Sequence, residues 1–166
     1  MSASETSGRH LDESIRLELN LARLYATFND LFAEDEEFWW DLSVEEQGHA
    51  SLFRQEKEQP QQKEFFPDNL LANDLQALLA TNEKIEAIIT SCATTPPKRS
   101  EAFQIAYDLE MAAGESHFQH FLESPTNSYA AGLFKQLNQQ DRDHAERIRD
   151  YAGSNGIVTI VDQRGA

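Results

Sequence analysis

The chain has 166 residues, of which 40% are hydrophobic and 26% charged, and this composition is typical of one soluble globular domain. Its 29 acidic and 14 basic residues give a net charge of -15, which disfavours binding to nucleic-acid phosphates and to anionic membranes. A single cysteine excludes an internal disulfide and a Cys-x-x-Cys metal site, and the sequence has neither a bilayer-length apolar run nor the pattern of a secretory signal. We therefore expect a cytoplasmic protein.

The first predicted helix follows a polar N-terminal segment. Residues 1–10 show no apolar periodicity, so we expect them to form a flexible N-terminus. From Leu11 to Phe32, apolar residues recur every three or four positions, which predicts an amphipathic helix of about six turns. Glu18 falls on the apolar side of this helix. A buried carboxylate loses its hydration, so Glu18 must be paired with a cation or bound to a metal.

A second helix follows a short acidic turn at residues 34–37, and the short connection predicts that the two helices are antiparallel neighbours. Its apolar stripe is interrupted by Glu46 and His49. Residues three apart share one face of a helix, so this pair presents a carboxylate and an imidazole to the same point. Pro60 ends the helix, and the apolar pattern of residues 71–89 predicts an additional helix within a long crossover.

Two more helices are predicted in the second half of the chain. Glu110 interrupts the apolar stripe of the first, and His117 follows it two turns later. The last long helix carries Asp141 and His144 in the middle of its stripe, again with a spacing of three. Gly153 and Gly156 are expected to end this helix, and we expect residues 153–166 to form an extended C-terminal tail.

The buried acids occupy matching positions in the two halves of the chain, which indicates an internal repeat. Four carboxylates and two imidazoles in a bundle core are the ligand set of a two-metal site, and four negative charges balance two divalent cations. Simpler explanations stay open at this stage. The acid-x-x-His pairs can be solvated pairs on exposed faces, and the other two glutamates can be ion-paired with arginines such as Arg16 or Arg23. His117 and His120 are better explained as ordinary hydrogen-bonded histidines, and a place beside the metal ligands is the alternative for both.

Taken together, these residues resemble the ferritin-like di-iron carboxylate family, in particular its rubrerythrin and bacterioferritin group. The resemblance extends from Glu18 to Tyr151. It implies an all-α fold, namely an antiparallel four-helix bundle with a long crossover that contains an additional helix. This bundle domain would occupy residues 11–152, between the flexible N-terminus and the C-terminal tail.

The resemblance also implies a set of metal ligands. They are Glu18, Glu46, His49, Glu110, Asp141 and His144. Glu46 and Asp141 would bridge two ions. Glu18 and His49 would hold one of the ions, and Glu110 and His144 would hold the other. Asp141 stands where the family has a glutamate, and its shorter side chain makes terminal binding to one ion the alternative. Tyr25 matches a family tyrosine that lies beside the ligands, and His117 is a second candidate for such a place.

The function implied by the resemblance is that of an oxidoreductase that reacts with hydrogen peroxide or dioxygen, as a rubrerythrin-like peroxidase. Its cofactor would be two iron ions, with manganese or a mixed pair as the alternative. Because the chain has no Cys-x-x-Cys iron domain, an external electron donor protein is expected. Two alternatives stay open, a ferroxidase that handles iron and a non-enzymatic metal-binding bundle. We expect the chain to form a homodimer.

Overall fold

A computed structural model describes residues 3–58, 68–116 and 129–157 of the chain. The helices are α1 (Ala3–Leu31), α2 (Glu36–Glu58), α3 (Asp68–Cys92), α4 (Arg99–Ser116) and α5 (Tyr129–Ser154), with a 3-10 turn at Ala33–Asp35 before α2. No strand occurs in these ranges, so the predicted all-α class is confirmed, whereas the ferritin-like arrangement of the helices stays a prediction. The chain divides into two compact units, Met1–Pro96 and Pro97–Ala166.

The first helix begins earlier than the periodicity predicted. α1 starts at Ala3 and includes the segment before Leu11, and His10 is buried. This segment contains no proline, and extending an existing helix adds one backbone hydrogen bond for each residue fixed. Apolar periodicity could not detect the extension, because the residues before Leu11 are small or polar. Leu11 is therefore not the start of the helix.

Within the first unit, α1 and α2 pack side by side as an antiparallel pair, as the short connection predicted. Near one end of the pair the Ser43 hydroxyl donates a hydrogen bond to the carbonyl oxygen of Ala22 at 2.8 Å. Near the other end Lys57 forms an ion pair with Asp12. Asp12 precedes Ala22 in α1, whereas Lys57 follows Ser43 in α2. The two helices therefore run in opposite directions.

Large apolar side chains fill the interface between α1 and α2. Trp39 is fully buried, and its ring lies 5.8 Å from that of Tyr25 in a stacked arrangement and 5.1 Å from that of Phe28 in an edge-on arrangement. Truncating a buried aromatic side chain of this kind to alanine typically costs about 3 to 5 kcal/mol. Other large apolar side chains of the two helices are also buried; they are Leu17, Leu21, Leu24, Leu42 and Phe53.

α3 packs against α1 through a polar network as well as apolar contacts. The Asn20 amide donates to Asn82 Oδ1 at 3.1 Å, and the Asn82 amide in turn donates to the backbone carbonyl of Glu13 at 3.0 Å. Arg16 donates to both carboxylate oxygens of Glu86 at 3.0 and 2.8 Å. Asn20 and Asn82 are both buried, so these bonds replace the hydration that the two amides lose on folding.

The second unit contains a second antiparallel pair, α4 and α5. The rings of Phe103 and Tyr151 stack at 5.7 Å with an interplanar angle of 4°, and Glu110 faces His144 further along the pair. α5 ends where Gly156 adopts a positive φ of 68°, and the Ile157 amide donates to the Ala152 carbonyl oxygen at 3.0 Å. Glycine tolerates this conformation without strain, so the predicted stop of α5 has a clear cause.

The extended C-terminal tail was predicted for residues 153–166. Gly153 and Ser154 are instead the last residues of α5, and residues 158–166 lie outside the described ranges. A search of the described helices for a long, apolar segment that could cross a membrane finds none. This agrees with the absence of a bilayer-length apolar run in the sequence.

Candidate metal centre

The first unit brings Glu18, Glu46 and His49 together. Glu18 lies on α1 and the other two lie on α2, and the antiparallel packing places them at the same level. His49 Nδ1 is 2.9 Å from Glu46 Oε2 and 3.4 Å from Glu18 Oε2. One possible ligand atom from each of the three side chains lies within 4.8 Å of the others. This spacing allows one metal ion to contact all three.

Local sequence explains why these polar side chains face inwards. Glu46 and His49 are separated by almost one helical turn and continue the buried side of α2, which Leu42 and Phe53 define on either side. The exposed fractions are 5% for Glu18, 0% for Glu46 and 6% for His49. These values exclude the explanation that Glu46 and His49 form a solvated pair on an exposed helix face.

The arginines considered as partners of Glu18 are engaged elsewhere. Arg16 pairs with Glu13 at 3.1 Å and with Glu86 at 2.8 Å. Arg23 donates to Asn20 at 3.5 Å. The cation that faces Glu18 in the structure is instead the imidazolium of His49. An ion pair with Arg16 or Arg23 is therefore not the reason for the buried carboxylate.

The electrostatics of the group are those of a cation held between two anions. Burial lowers the pKa of His49, but the hydrogen bonds and negative charges of Glu18 and Glu46 more than offset this effect, and the pKa is raised to about 10. His49 is consequently protonated at neutral pH. Its charge offsets part of the cost of burying two carboxylates without water.

The donor set fits a divalent transition metal. Two carboxylate oxygens and one imidazole nitrogen are ligands of iron, manganese and zinc, whereas copper(I) prefers sulfur ligands. A metal ion binds only the neutral imidazole, so it would take the place of the proton on His49 Nδ1. The charge of a divalent ion would then balance both carboxylates. On chemical grounds, Glu18, Glu46 and His49 can hold one ion.

The second unit repeats part of this arrangement. Glu110 on α4 and His144 on α5 are both buried, and His144 Nδ1 lies 3.7 Å from Glu110 Oε1. In both units the same ring nitrogen of a histidine faces a glutamate on the antiparallel neighbour. Asp141 lies in α5 three residues before His144, and the proposal that its carboxylate is a ligand stays a prediction. The bridging roles of Glu46 and Asp141 also stay predictions.

The residues expected beside the ligands have different outcomes. Tyr25 is fully buried on α1, two turns after Glu18, with its ring stacked on Trp39. Its predicted place beside the metal ligands stays a prediction. His117 and His120 lie outside the described residues, so their predictions are not answered.

Sequence reasoning missed the burial of His10, a titratable residue. It lies on α1 two turns before Glu18, and burial lowers the pKa of its imidazole to about 4. The Ser14 hydroxyl donates to the His10 carbonyl oxygen at 2.9 Å, and Ser14 is also buried. Steps of four from His10 through Ser14 to Glu18 show that all three share the buried side of α1. The sequence contains this spacing, but apolar periodicity does not detect it because all three residues are polar.

Comparison with known proteins does not add a family assignment. No family model matches the chain, and neither a curated protein nor a solved structure matches it. The interpretation of the site therefore depends on its own geometry and chemistry.

Proposed function

We propose that this chain binds two divalent metal ions, one with ligands from each unit, and uses them in a redox reaction with hydrogen peroxide or dioxygen. Iron is the preferred ion and manganese the alternative. The observation that carries the proposal is the convergence of Glu18, Glu46 and His49 in a buried position, with ligand atoms within 4.8 Å of one another. The resemblance to di-iron carboxylate proteins supports the choice of reaction.

Burial favours a metal site over a purely structural ion pair. Two carboxylates that share one imidazolium keep a net negative charge in a place of low dielectric constant, which is unfavourable. A divalent cation would neutralise this charge and use oxygen atoms of both Glu18 and Glu46. The same packing that buries the ligands keeps bulk water away from them. An ion held there would have few competing water ligands.

The chain's own residues have three tasks in this proposal. Glu18 and Glu46 bind the ion through oxygen and tolerate a change in its charge, because carboxylates can bind through one oxygen or two. His49 gives up the proton on Nδ1 when the ion binds. The bound iron or manganese supplies the electrons for reduction of the oxidant. Glu110 and His144, with Asp141 as the predicted third ligand, would serve the second ion in the same way.

The test begins with metal stoichiometry. The purified chain is loaded anaerobically with iron(II), passed through a desalting column and analysed by mass spectrometry of the metal. We expect two ions per chain and fewer in Glu46→Gln, because this substitution removes a charged ligand without changing its size. Retention of one ion would mean that Glu46 serves one ion only, and loss of both would mean that it bridges them. Asp41→Asn is the matched control, since Asp41 is an exposed carboxylate on the same helix. A wild-type chain that retains no metal would contradict the proposal.

Activity separates the possible functions of a metal-loaded chain. We expect the loaded wild-type chain to consume peroxide or dioxygen, with a reductant present, faster than Glu46→Gln does. Oxidation of many equivalents of added iron(II) would instead indicate the ferroxidase alternative. A chain that binds two ions but consumes neither oxidant would show that the metal has a structural role.

A further inference from the structure

The outward side of α2 carries two apolar side chains in an unusual position. Trp40 is 53% exposed and Val44 is 47% exposed, and a spacing of four places them next to each other on one face of the helix. Tryptophan is mostly buried in proteins, and clusters of exposed apolar side chains often mark contact surfaces. The opposite side of α2 packs against α1 and carries Glu46 and His49, so the outward face is separate from the candidate metal ligands.

Gly48 lies on the same outward face, and no close packing among the described residues of one chain requires a glycine there. It lies in the middle of α2 and is exposed, and a Cβ atom placed on it would have no neighbour within 4 Å among the described residues. Glycine is unfavourable in a helix interior, so alanine would be the better residue if the isolated chain were the functional form. A missing side chain does allow another helix to approach closely. Ser51, the next exposed residue along the same face, is also small.

The exposed charges on α2 are distributed unequally along the helix. Glu36, Glu37 and Asp41 are exposed in its first half, whereas the exposed charged residues near its C-terminal end are Arg54, Glu58 and Lys57, of which Lys57 pairs with Asp12. The face therefore has bulky apolar residues beside acids in its first half. In its second half it has small residues beside Arg54, and Glu58 follows at the end of the helix. Each half complements the other half of an identical helix that runs in the opposite direction. Interfaces with two-fold symmetry require this kind of self-complementarity.

We infer that two copies of this chain associate through α2, with the two α2 helices antiparallel and related by a two-fold axis. Trp40 of each copy lies on Gly48 and Ser51 of the other. Arg54 is three residues after Ser51 and Glu37 is three residues before Trp40, so this register brings Arg54 of one copy level with Glu37 of the other. The acidic net charge of -15 repels identical chains at long range, and the Arg54 pairs offset that repulsion where the surfaces meet.

The oligomeric state tests the inference. Light scattering on a gel-filtration column is expected to give a mass twice the chain's 18.9 kDa. Trp40→Glu places a charge at the centre of the contact, and we expect it to raise the dimer dissociation constant at least about tenfold. Leu31→Glu is the matched control, because Leu31 is an exposed apolar residue of α1 at 38% and lies outside this face. Circular dichroism establishes that both variants are folded.

A second substitution keeps the test independent of folding defects. Gly48→Leu has open space in the single chain and improves helix propensity, so the monomer should be at least as stable as wild type in a thermal melt. The added side chain would, however, hold the two helices apart and shift the protein to monomer. Arg54→Glu should weaken the dimer, and the triple exchange Glu36→Arg, Glu37→Arg and Arg54→Glu should restore it, because both partners then carry reversed charges.

Two results would overturn the inference. The first is a wild-type chain that is monomeric at micromolar concentration. The second is an oligomer whose mass is unchanged by both Trp40→Glu and Gly48→Leu, which would show that the chain associates through another surface. Neither result bears on metal binding, because the ligands lie on the other side of α2.

Discussion

Binding of a metal ion to Glu18, Glu46 and His49 should release a proton from His49. In the metal-free protein the two carboxylates outweigh the effect of burial and raise the pKa of His49 to about 10. At neutral pH its ring is therefore almost fully protonated. A metal ion coordinates only the neutral ring, so we expect each ion bound at this position to displace about one proton.

The size of the effect follows from the difference between the pKa and the working pH. At pH 7 the solution is about three pH units below the pKa of His49. Removing the ring proton therefore costs roughly 4 kcal/mol, at 1.36 kcal/mol per unit, and this cost opposes metal binding. Because one proton is displaced per ion, the affinity should rise about tenfold for each pH unit. The increase between pH 6.5 and 8.5 is then about a hundredfold and continues until the pH approaches the pKa of about 10.

Isothermal titration calorimetry measures the proton directly. Zinc(II), which has no redox chemistry, is titrated into the metal-free chain in buffers with different ionisation enthalpies. The slope of the observed enthalpy against the buffer enthalpy gives the number of protons released. The double variant Glu110→Gln and His144→Gln removes the candidate ligands of the second unit, so that the signal reports the first unit alone. His49→Gln in this background is the control and should release almost no proton.

The reasoning would be refuted by zinc binding to the first unit without proton release and with an affinity that is flat between neutral and mildly alkaline pH. Such a result would mean that His49 is neutral in the metal-free protein or is not a ligand. Glu46→Gln distinguishes these two explanations. Removing one carboxylate charge should lower the pKa of His49, which nuclear magnetic resonance can follow through the ring protons.

Two further predictions concern stability. Asn82→Ala leaves the buried amide of Asn20 and the carbonyl of Glu13 without this partner, and we expect a loss of about 1 to 3 kcal/mol in urea unfolding. The control Thr90→Ala, at an exposed position of the same helix, should change stability by less than about 0.5 kcal/mol, and equal effects would contradict this role. The pKa of His10 is lowered from 6.5 to about 4, so the unfolded chain takes up its proton first and stability is lost as the pH falls from 6.5 towards 4. The maximum loss is about 3 kcal/mol, and His10→Leu should show a smaller loss than wild type over this range.

The elements that the sequence predicted well are those with a strong apolar period. The burial of Glu46 and His49 followed from their phase relative to Leu42 and Phe53, because a helix fixes which residues share a face. The antiparallel direction of α1 and α2 followed from the short connection between them. These are local properties, and a single sequence contains them.

Other features depend on contacts between distant residues and could not be predicted in the same way. The amide pair Asn20 and Asn82 joins positions 62 residues apart, and no periodic pattern reports that two polar residues will meet. The position of the His49 imidazolium between two carboxylates could be recognised only from the interatomic distances. The sequence alone does not say whether the imidazole ring or an arginine faces Glu18. His10 was missed because the apolar pattern begins only after it.

The three candidate ligands of the first unit lie close together in the sequence, and this affects the order in which the candidate sites are synthesised. Glu18, Glu46 and His49 span residues 18–49, so all three have been polymerised while the 117 residues from Ala50 to Ala166 are still to be added. At typical translation rates this interval is about 6 to 23 s. The nascent chain therefore contains all three candidate ligands of the first unit before the second unit has been synthesised. If these residues bind an ion as proposed, loading of the first unit does not depend on synthesis of the second.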